Sequence, residues 1–467
     1  MPFHSGSFLA FFSLVVVAFA LLGGRARLGV LLAASLAYAH ACNGRLAMLL
    51  LVTTGFDFLA ARAIHRARRP AIRRLWLAAS LCLSLGLLGI FKYADFFLES
   101  LAAFTGRPAT PLALVLPIGI SFYTFQSIGY VVDVYRGRLV PCARLVDYAL
   151  YLSFFPQVVA GPIVRPQELL PQLDRPPAPS RGDVAEGMQR LAAGLAKKAL
   201  LADYLGTYVD LVFGSPEIYA GPEVAIAIYA YALQICFDFS GYSDMAIGMA
   251  RVLGIRLPEN FDAPYRARDL AEFWRRWHMT LSRWVRDYLF LPLALRAGRR
   301  LALRHAALFG SMLLVGLWHG AGWGFVLWGG LHGLGLVVER LAAPRTPRAR
   351  SALRAGLAWL ATFHFVALSW IVFRAPSLDT ARVLVLRGLR GWSLARLVVV
   401  LDHRAPLLGV IAIGFALALA PPRWLARAAA RFTHAPAPAK ALAFVALVQA
   451  VLQVRTTNVT PFIYFQF

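Results

Sequence analysis

What most constrains this chain is a succession of apolar runs long enough to cross a bilayer, with most of its arginines falling between them. The runs are 8–23, 28–42, 46–61, 75–92, 112–132, 187–213, 223–249, 305–321, 324–339, 355–373, 405–421 and 441–454. A hydrocarbon core of about 30 Å takes roughly 20 apolar residues as helix, fewer where a segment is short or the bilayer thins. About twelve transmembrane helices are therefore predicted. Bulk composition agrees: of 467 residues, 59% are hydrophobic and 15% charged, with mean hydropathy +0.62. Soluble domains carry roughly 25% charged residues, and disorder needs low hydrophobicity. The predicted fold class is an all-α polytopic membrane protein, with 1–467 forming a single membrane domain and no internal repeat.

Charge sets the predicted orientation. Lys+Arg number 48 against 23 Asp+Glu, a net +25, and lysine occurs only at 92, 197, 198 and 440. Basic residues scattered between apolar spans mark inside connections, whereas nucleic-acid binding needs a clustered exposed patch. With the N-terminus outside, the inside connections are 25–27, 62–74, 135–144, 165–189, 251–304, 340–354 and 422–440. The outside segments near 43, 95–111 and 215–222 carry almost no arginine; 374–404 is basic, yet the same scheme places it outside. The opening MPFHSGS has no Lys or Arg, so the first run reads as a retained span rather than a cleaved signal. Residues 148–164 hold Pro156, Gly161 and Pro162 and read as a re-entrant hairpin, since such backbone survives at membrane depth only inside protein or a wet cavity.

Polar groups inside apolar spans are the informative exceptions. QICFDFSGYSD (234–244) places Asp238, Ser240, Tyr242 and Asp244 late in one span, as helix glue, tunnel lining or catalytic groups. DLAEFWRRWHMTLSRWVRDY (269–288) repeats Trp274, Trp277, Leu281, Trp284 and Tyr288 at helical steps. Arg275, Arg276, Arg283 and Arg286 cover much of the rest, so it reads as an interfacial helix with lipid-facing arginines, or as a basic helix at a tunnel mouth around His278 that could hold an anionic nucleotide donor. GLWHGAGWGFVLWGGLHG (316–333) places His319, beside Trp318, and His332 among glycines that allow close approach of a helix or a substrate. The chain ends NVTPFIYFQF, an aromatic tail containing Tyr464 that reads as an interfacial anchor. Four cysteines (Cys42, Cys82, Cys142, Cys236) lack metal-like spacing, and no Walker loop, nucleophile elbow or paired metal-ligand motif occurs. No metal or bound cofactor is expected. On residues alone, enzyme and transporter both remain open.

These motifs, together with FPQVVAGPIVRPQELLPQL (155–173), the stretch from Phe237 to Tyr265 and the terminal PFIYFQF, resemble the membrane-bound O-acyltransferase family and within it the alginate O-acetyltransferase branch. The resemblance implies a tunnel through the membrane and an acyl transfer from a cytoplasmic thioester, acetyl-CoA or another acyl thioester, to a hydroxyl. It implies His319 and His278 as the catalytic pair and His332 as a second histidine of the bacterial branch. Asp238, Ser240, Tyr242, Asp244, Arg275, Arg276, Trp277 and Trp318 then line the tunnel or bind the donor. A similar tail ends the small membrane partner of the teichoic acid D-alanylation system, which makes Tyr464 a candidate acyl relay. The implied setting is the bacterial inner membrane, with an exported polysaccharide as acceptor and an extracytoplasmic partner protein completing transfer. Alginate, peptidoglycan, cellulose and other secreted glycans remain alternative acceptors, and a transporter or flippase for acyl groups or glycans remains the rival class.

Overall fold

The computed structural model describes residues 1–108, 110–176, 178–342 and 351–454, so the terminal aromatic motif with Tyr464 lies outside the described residues. Among the described residues the protein is helical without a strand. Among these residues six helices are long and apolar enough to span a bilayer, or up to eight if each of two bent pairs, Leu394–His403 with Ala405–Leu419 and Pro422–Thr433 with Ala437–Val451, forms one span. This is a multi-pass membrane protein. The chain forms two compact units, Met1–Leu191 with Tyr242–Glu259, and Ala192–Gly241 with the chain from Asn260 onward.

In the first unit the stretch Ala26–Arg66 stays helical across 41 residues, passing through a 3₁₀ turn at Gly44–Leu46. It reverses there. Arg25 meets Asp147 at 2.5 Å and Arg62 donates to the Ala143 carbonyl at 3.3 Å, so both ends of the stretch reach one place. Arg73 donates to the Tyr135 carbonyl at 2.6 Å, which brings a third basic connection to that end. At the turn, the Asn43 side chain pairs twice with the Ile118 backbone, at 2.6 and 3.1 Å. The segment expected as a span over 112–132 becomes helical only at Ile120 and runs to Tyr135. Pro117 and Gly119 delay it; Gly119 has φ +86°, and a Cβ there would sit 2.4 Å from the Val158 carbonyl.

The expected break near Pro156 is present. Helix ends at Ser153, and residues 154–164 run as buried, irregular backbone. Side chains replace the missing ladder: Gln157 donates to the Tyr151 carbonyl, the Tyr151 hydroxyl to the Val164 carbonyl, and Ser35 accepts the Phe155 N–H. This is how non-helical backbone is tolerated in an apolar surround. Asp57, which no sequence motif marks, is fully buried and accepts hydrogen bonds from the Ser80 and Ser127 hydroxyls. One carboxylate thereby ties three apolar helices together.

In the second unit, helices Leu301–His319 and Trp323–Ala342 form a hairpin about Gly320–Gly322. Their backbones touch where a Cβ on Gly316 would fall 2.2 Å from the Phe325 carbonyl and one on Gly329 2.4 Å from the Met312 carbonyl. Of the two uses the glycines allowed, helix contact is the one the structure shows. Basic connections gather here too: Glu339 accepts the Leu270 N–H at 2.7 Å, Arg266 donates to the Leu419 carbonyl at 2.7 Å, and Trp359 to the Tyr265 carbonyl at 2.8 Å. At the opposite helix ends Arg374 pairs with Asp210 at 2.6 Å and the Gly221 N–H bonds the Arg390 carbonyl. The basic segment 374–404 therefore lies against 210–221, and part of its charge is neutralised there.

Candidate active site

The segment expected as one interfacial helix, 269–288, is two short helices, Leu270–Arg276 and Met279–Val285, broken at Trp277–His278. Nor is it interfacial. Trp274, Trp277, Leu281 and Trp284 are all buried. Leu270 bonds Glu339, whereas Trp274 meets Trp328 and His332 of the same helix, with ring centroids 5.7 and 5.5 Å apart. Glu339 lies nearer the end of that helix than His332 and Trp328 do, so from Leu270 to Trp274 the chain leads away from the basic end into the protein and carries His278 with it. The 251–304 connection is thus corrected: its middle re-enters the protein, because its aromatic stripe finds a core rather than a lipid surface.

Asn260 makes the break. Its backbone carbonyl takes the Met279 N–H at 2.9 Å, and its side-chain oxygen takes the Thr280 N–H at 3.2 Å and the Thr280 hydroxyl at 2.9 Å. These bonds claim the backbone donors that a continuous helix would use, and His278 adopts the left-handed conformation, φ +40°, to reach them. A non-glycine residue there is strained, a condition that persists only when surroundings impose it. Asn260 was not singled out in the sequence; its only signal is a polar residue between Pro258 and the Phe261 that packs on Trp277.

Three imidazoles are threaded through tryptophan rings. His278 is fully buried, 4.7 Å from Phe239 and 6.0 Å from Trp318. Trp318 is 4.9 Å from His319, which lies 5.2 Å from both Trp328 and Phe373. Trp328 is 4.7 Å from His332, whose Nε2 lies 3.0 Å from the Ser369 hydroxyl. That hydroxyl donates its proton to the Val366 carbonyl, so Nε2 of His332 is the donor in this pair. His319 closes its helix immediately before Gly320, not deep within a span, because the glycine turn ends the helix. A Cβ on Gly320 would lie 2.1 Å from the Phe325 ring, so a larger residue there must displace that ring.

The other predicted residues divide into two groups. Trp277 packs on Trp370 and Phe273 beside this array. Asp238 does not present a free carboxylate: it meets Lys198 at 2.5 Å, and Lys198 meets Asp203 at 2.7 Å, both through a buried ammonium. Removing one partner of such a pair costs about 3–5 kcal/mol, which makes this triad a structural clamp. Ser240 is buried one residue beyond Phe239, the part of the 234–244 motif that touches His278. Tyr242 and Asp244 belong to the first unit, where Tyr242 stacks on Phe3 at 4.4 Å and Asp244 pairs with Arg190 at 3.0 Å. Arg276 is held by Glu272 at 2.9 Å and Asp262 at 3.1 Å. Arg275 is mostly exposed, and Asp269 stands 3.9 Å away.

Residues 143–375 match the model of the MBOAT, membrane-bound O-acyltransferase family, a region that contains all three histidines. The chain is 36% identical over 391 residues to the peptidoglycan O-acetyltransferase of Helicobacter pylori, covering 77% of this chain and 73% of that protein. It is 39% identical over 391 residues to the probable alginate O-acetylase of Pseudomonas aeruginosa, covering 82% and 73%. Against the probable alginate O-acetylase of Azotobacter vinelandii it is 41% identical over 314 residues, covering 66% of this chain and 61% of that protein.

Proposed function

This chain belongs to the membrane-bound O-acyltransferase family and is an acyltransferase, and on that premise we propose that it moves an acetyl group from a cytoplasmic thioester to a hydroxyl bound for an exported polysaccharide. The observation that carries the reading is the array of three buried imidazoles on Trp318 and Trp328, inside the matched region. A neutral imidazole works as a base at membrane depth, where a carboxylate resists burial. In the proposed step the acceptor hydroxyl oxygen attacks the thioester carbonyl carbon. The new C–O bond forms as the C–S bond breaks, and the hydroxyl proton passes to His319 and from it to the departing thiolate. His278 orients the donor or the base, and His332 supports the array from the Ser369 side.

The donor enters from the basic end, where Arg275 is the predicted arginine left open to meet its phosphates. Acetyl-CoA or another acyl thioester fits that chemistry. His319 stands at the helix end remote from those connections, which would let the acceptor approach from the other side. The location is the bacterial inner membrane, and an extracytoplasmic partner completes transfer to the polymer. An alginate-like polymer is the first acceptor to test, given the probable alginate O-acetylases among the relatives. Peptidoglycan is the second, on the strength of the Helicobacter relative. Deleting the gene should remove ester-linked acetate from one exported glycan, and supplying the chain again should restore it. Unchanged acetate on every exported glycan would overturn the reading.

Tyr464 would carry the acyl group between donor and external acceptor. The order of leaving groups suits a relay: a thiol ionises at about 8.5, a phenol at about 10, and a sugar hydroxyl higher still. Tyr464→Phe keeps the aromatic anchor and loses only the hydroxyl. Polymer acetylation should be lost in that variant, and mass spectrometry of the wild type should find acetate on Tyr464. A fully active Tyr464→Phe protein would leave the tail as an anchor.

A further inference from the structure

The bonds around Asn260 carry more than the shape of the turn. A backbone N–H only donates, so the Asn260 atom facing the Thr280 N–H at 3.2 Å must be the amide oxygen. That identifies the orientation of the amide by chemistry, since the reverse would set an NH₂ against an N–H. The same oxygen lies 3.1 Å from Nδ1 of His278. An oxygen accepts, so Nδ1 must carry the proton, and the neutral ring then bears its lone pair on Nε2. Among the described residues Nε2 of His278 has no hydrogen-bond partner, although the ring is fully buried. A buried polar atom left unpaired is costly and calls for an explanation.

We propose that Asn260 is a positioning residue that locks His278 in the Nδ1–H tautomer, so that its Nε2 lone pair accepts a hydrogen bond from a substrate. The inference rests on the acyltransferase reading and deepens it. Whatever His278 orients must be a hydrogen-bond donor: an amide N–H along the arm of the thioester, or the hydroxyl that is acylated. A carbonyl or phosphate oxygen is excluded at that nitrogen, because lone pair would face lone pair. The strained φ of +40° at His278 is explained by the same interaction, since it brings both Nδ1 and the two following N–H groups onto one asparagine.

The test combines a spectrum with kinetics on the full chain in detergent, with ¹⁵N-labelled histidine. The His278 signals are assigned by their loss in His278→Gln. The wild type should show the proton on Nδ1. Asn260→Asp keeps an acceptor at the same place and should retain both the tautomer and transfer within about 10-fold, whereas Asn260→Leu, which removes the acceptor, should lose about 10²-fold or more. A rise in donor KM with kcat kept identifies the amide as the oriented group; a fall in kcat identifies the hydroxyl. A proton on Nε2 in the wild type overturns the proposal, and this holds even if Asn260→Leu fails to fold. So does a folded Asn260→Leu protein that transfers at the wild-type rate. A wild type with the proton on Nδ1 and no acyl transfer at all would sink the enzymatic reading instead, leaving the tautomer assignment standing.

Discussion

His319→Ala should abolish acyl transfer while the protein still inserts and folds. General base catalysis by a positioned side chain is worth about 10²–10⁴-fold, and Asp238, one residue from the Phe239 that packs on His278, is already committed to Lys198. The fold should survive because His319 is the last residue of its helix and the rings of Trp328 and Phe373 that pack on it are held by other helices. Trp328 also packs on Trp370, and Phe373 on Phe325. Some stability is lost with the imidazole's own packing, so His319→Gln belongs beside the alanine variant. Both should elute and melt close to wild type and both should be inactive. Near wild-type acetylation by either one, measured as ester-linked acetate per mole of protein, would mean that another group takes the proton.

Gly329→Val should do the opposite, removing stability and activity together. A Cβ at 329 falls 2.4 Å from the Met312 carbonyl and 3.1 Å from Gly316 Cα, and a Cβ at 316 falls 2.2 Å from the Phe325 carbonyl. These neighbours are backbone, which cannot rotate aside, so the two helices must separate. Overpacking costs typically about 1–3 kcal/mol and occasionally more, and a β-branched residue at a backbone contact belongs at the upper end. Separation also displaces His319, on one helix, relative to Trp328 and His332, on the other. Gly310→Ala is the matched control, since nothing lies within 4 Å of its Cβ and alanine favours helix by up to about 1 kcal/mol. Thermal unfolding in detergent should rank Gly310→Ala at or above wild type and Gly329→Val far below it. Equal melting of the two variants would show that the helices do not meet as described.

Much of this organisation was legible because it depends on patterns a sequence displays directly. Apolar runs, the proline- and glycine-broken stretch at 154–164, and histidines among tryptophans all announce themselves without a partner. The segregation of arginine-rich connections is likewise written in order along the chain, and the hydrogen bonds of Arg25, Arg62 and Arg73 realise it. What was not legible depends on residues far apart in sequence. The step from Trp274 to Tyr288 satisfies a helical period, yet Asn260 breaks the helix from 18 residues away by taking the N–H groups of Met279 and Thr280. The polar cluster at 234–244 looked like one constellation because its residues are adjacent. Its members answer to different partners: Asp238 to Lys198, Asp244 to Arg190, and Tyr242 to Phe3. Periodicity describes one element, whereas ion pairs and side-chain clamps are made between elements.

If acyl transfer runs through the imidazole array across the membrane, a labelled acetyl group can be followed through proteoliposomes. Acetyl-CoA carrying ¹⁴C on its acetyl group is placed on the face of the basic connections, and the exported glycan with its partner protein on the other. Label should leave the thioester and be recovered as an oxygen ester on the far side with the wild type, and should stay on the thioester with His319→Ala. Label that stays on the thioester with the wild type, or that reaches the glycan equally with His319→Ala, would contradict the account.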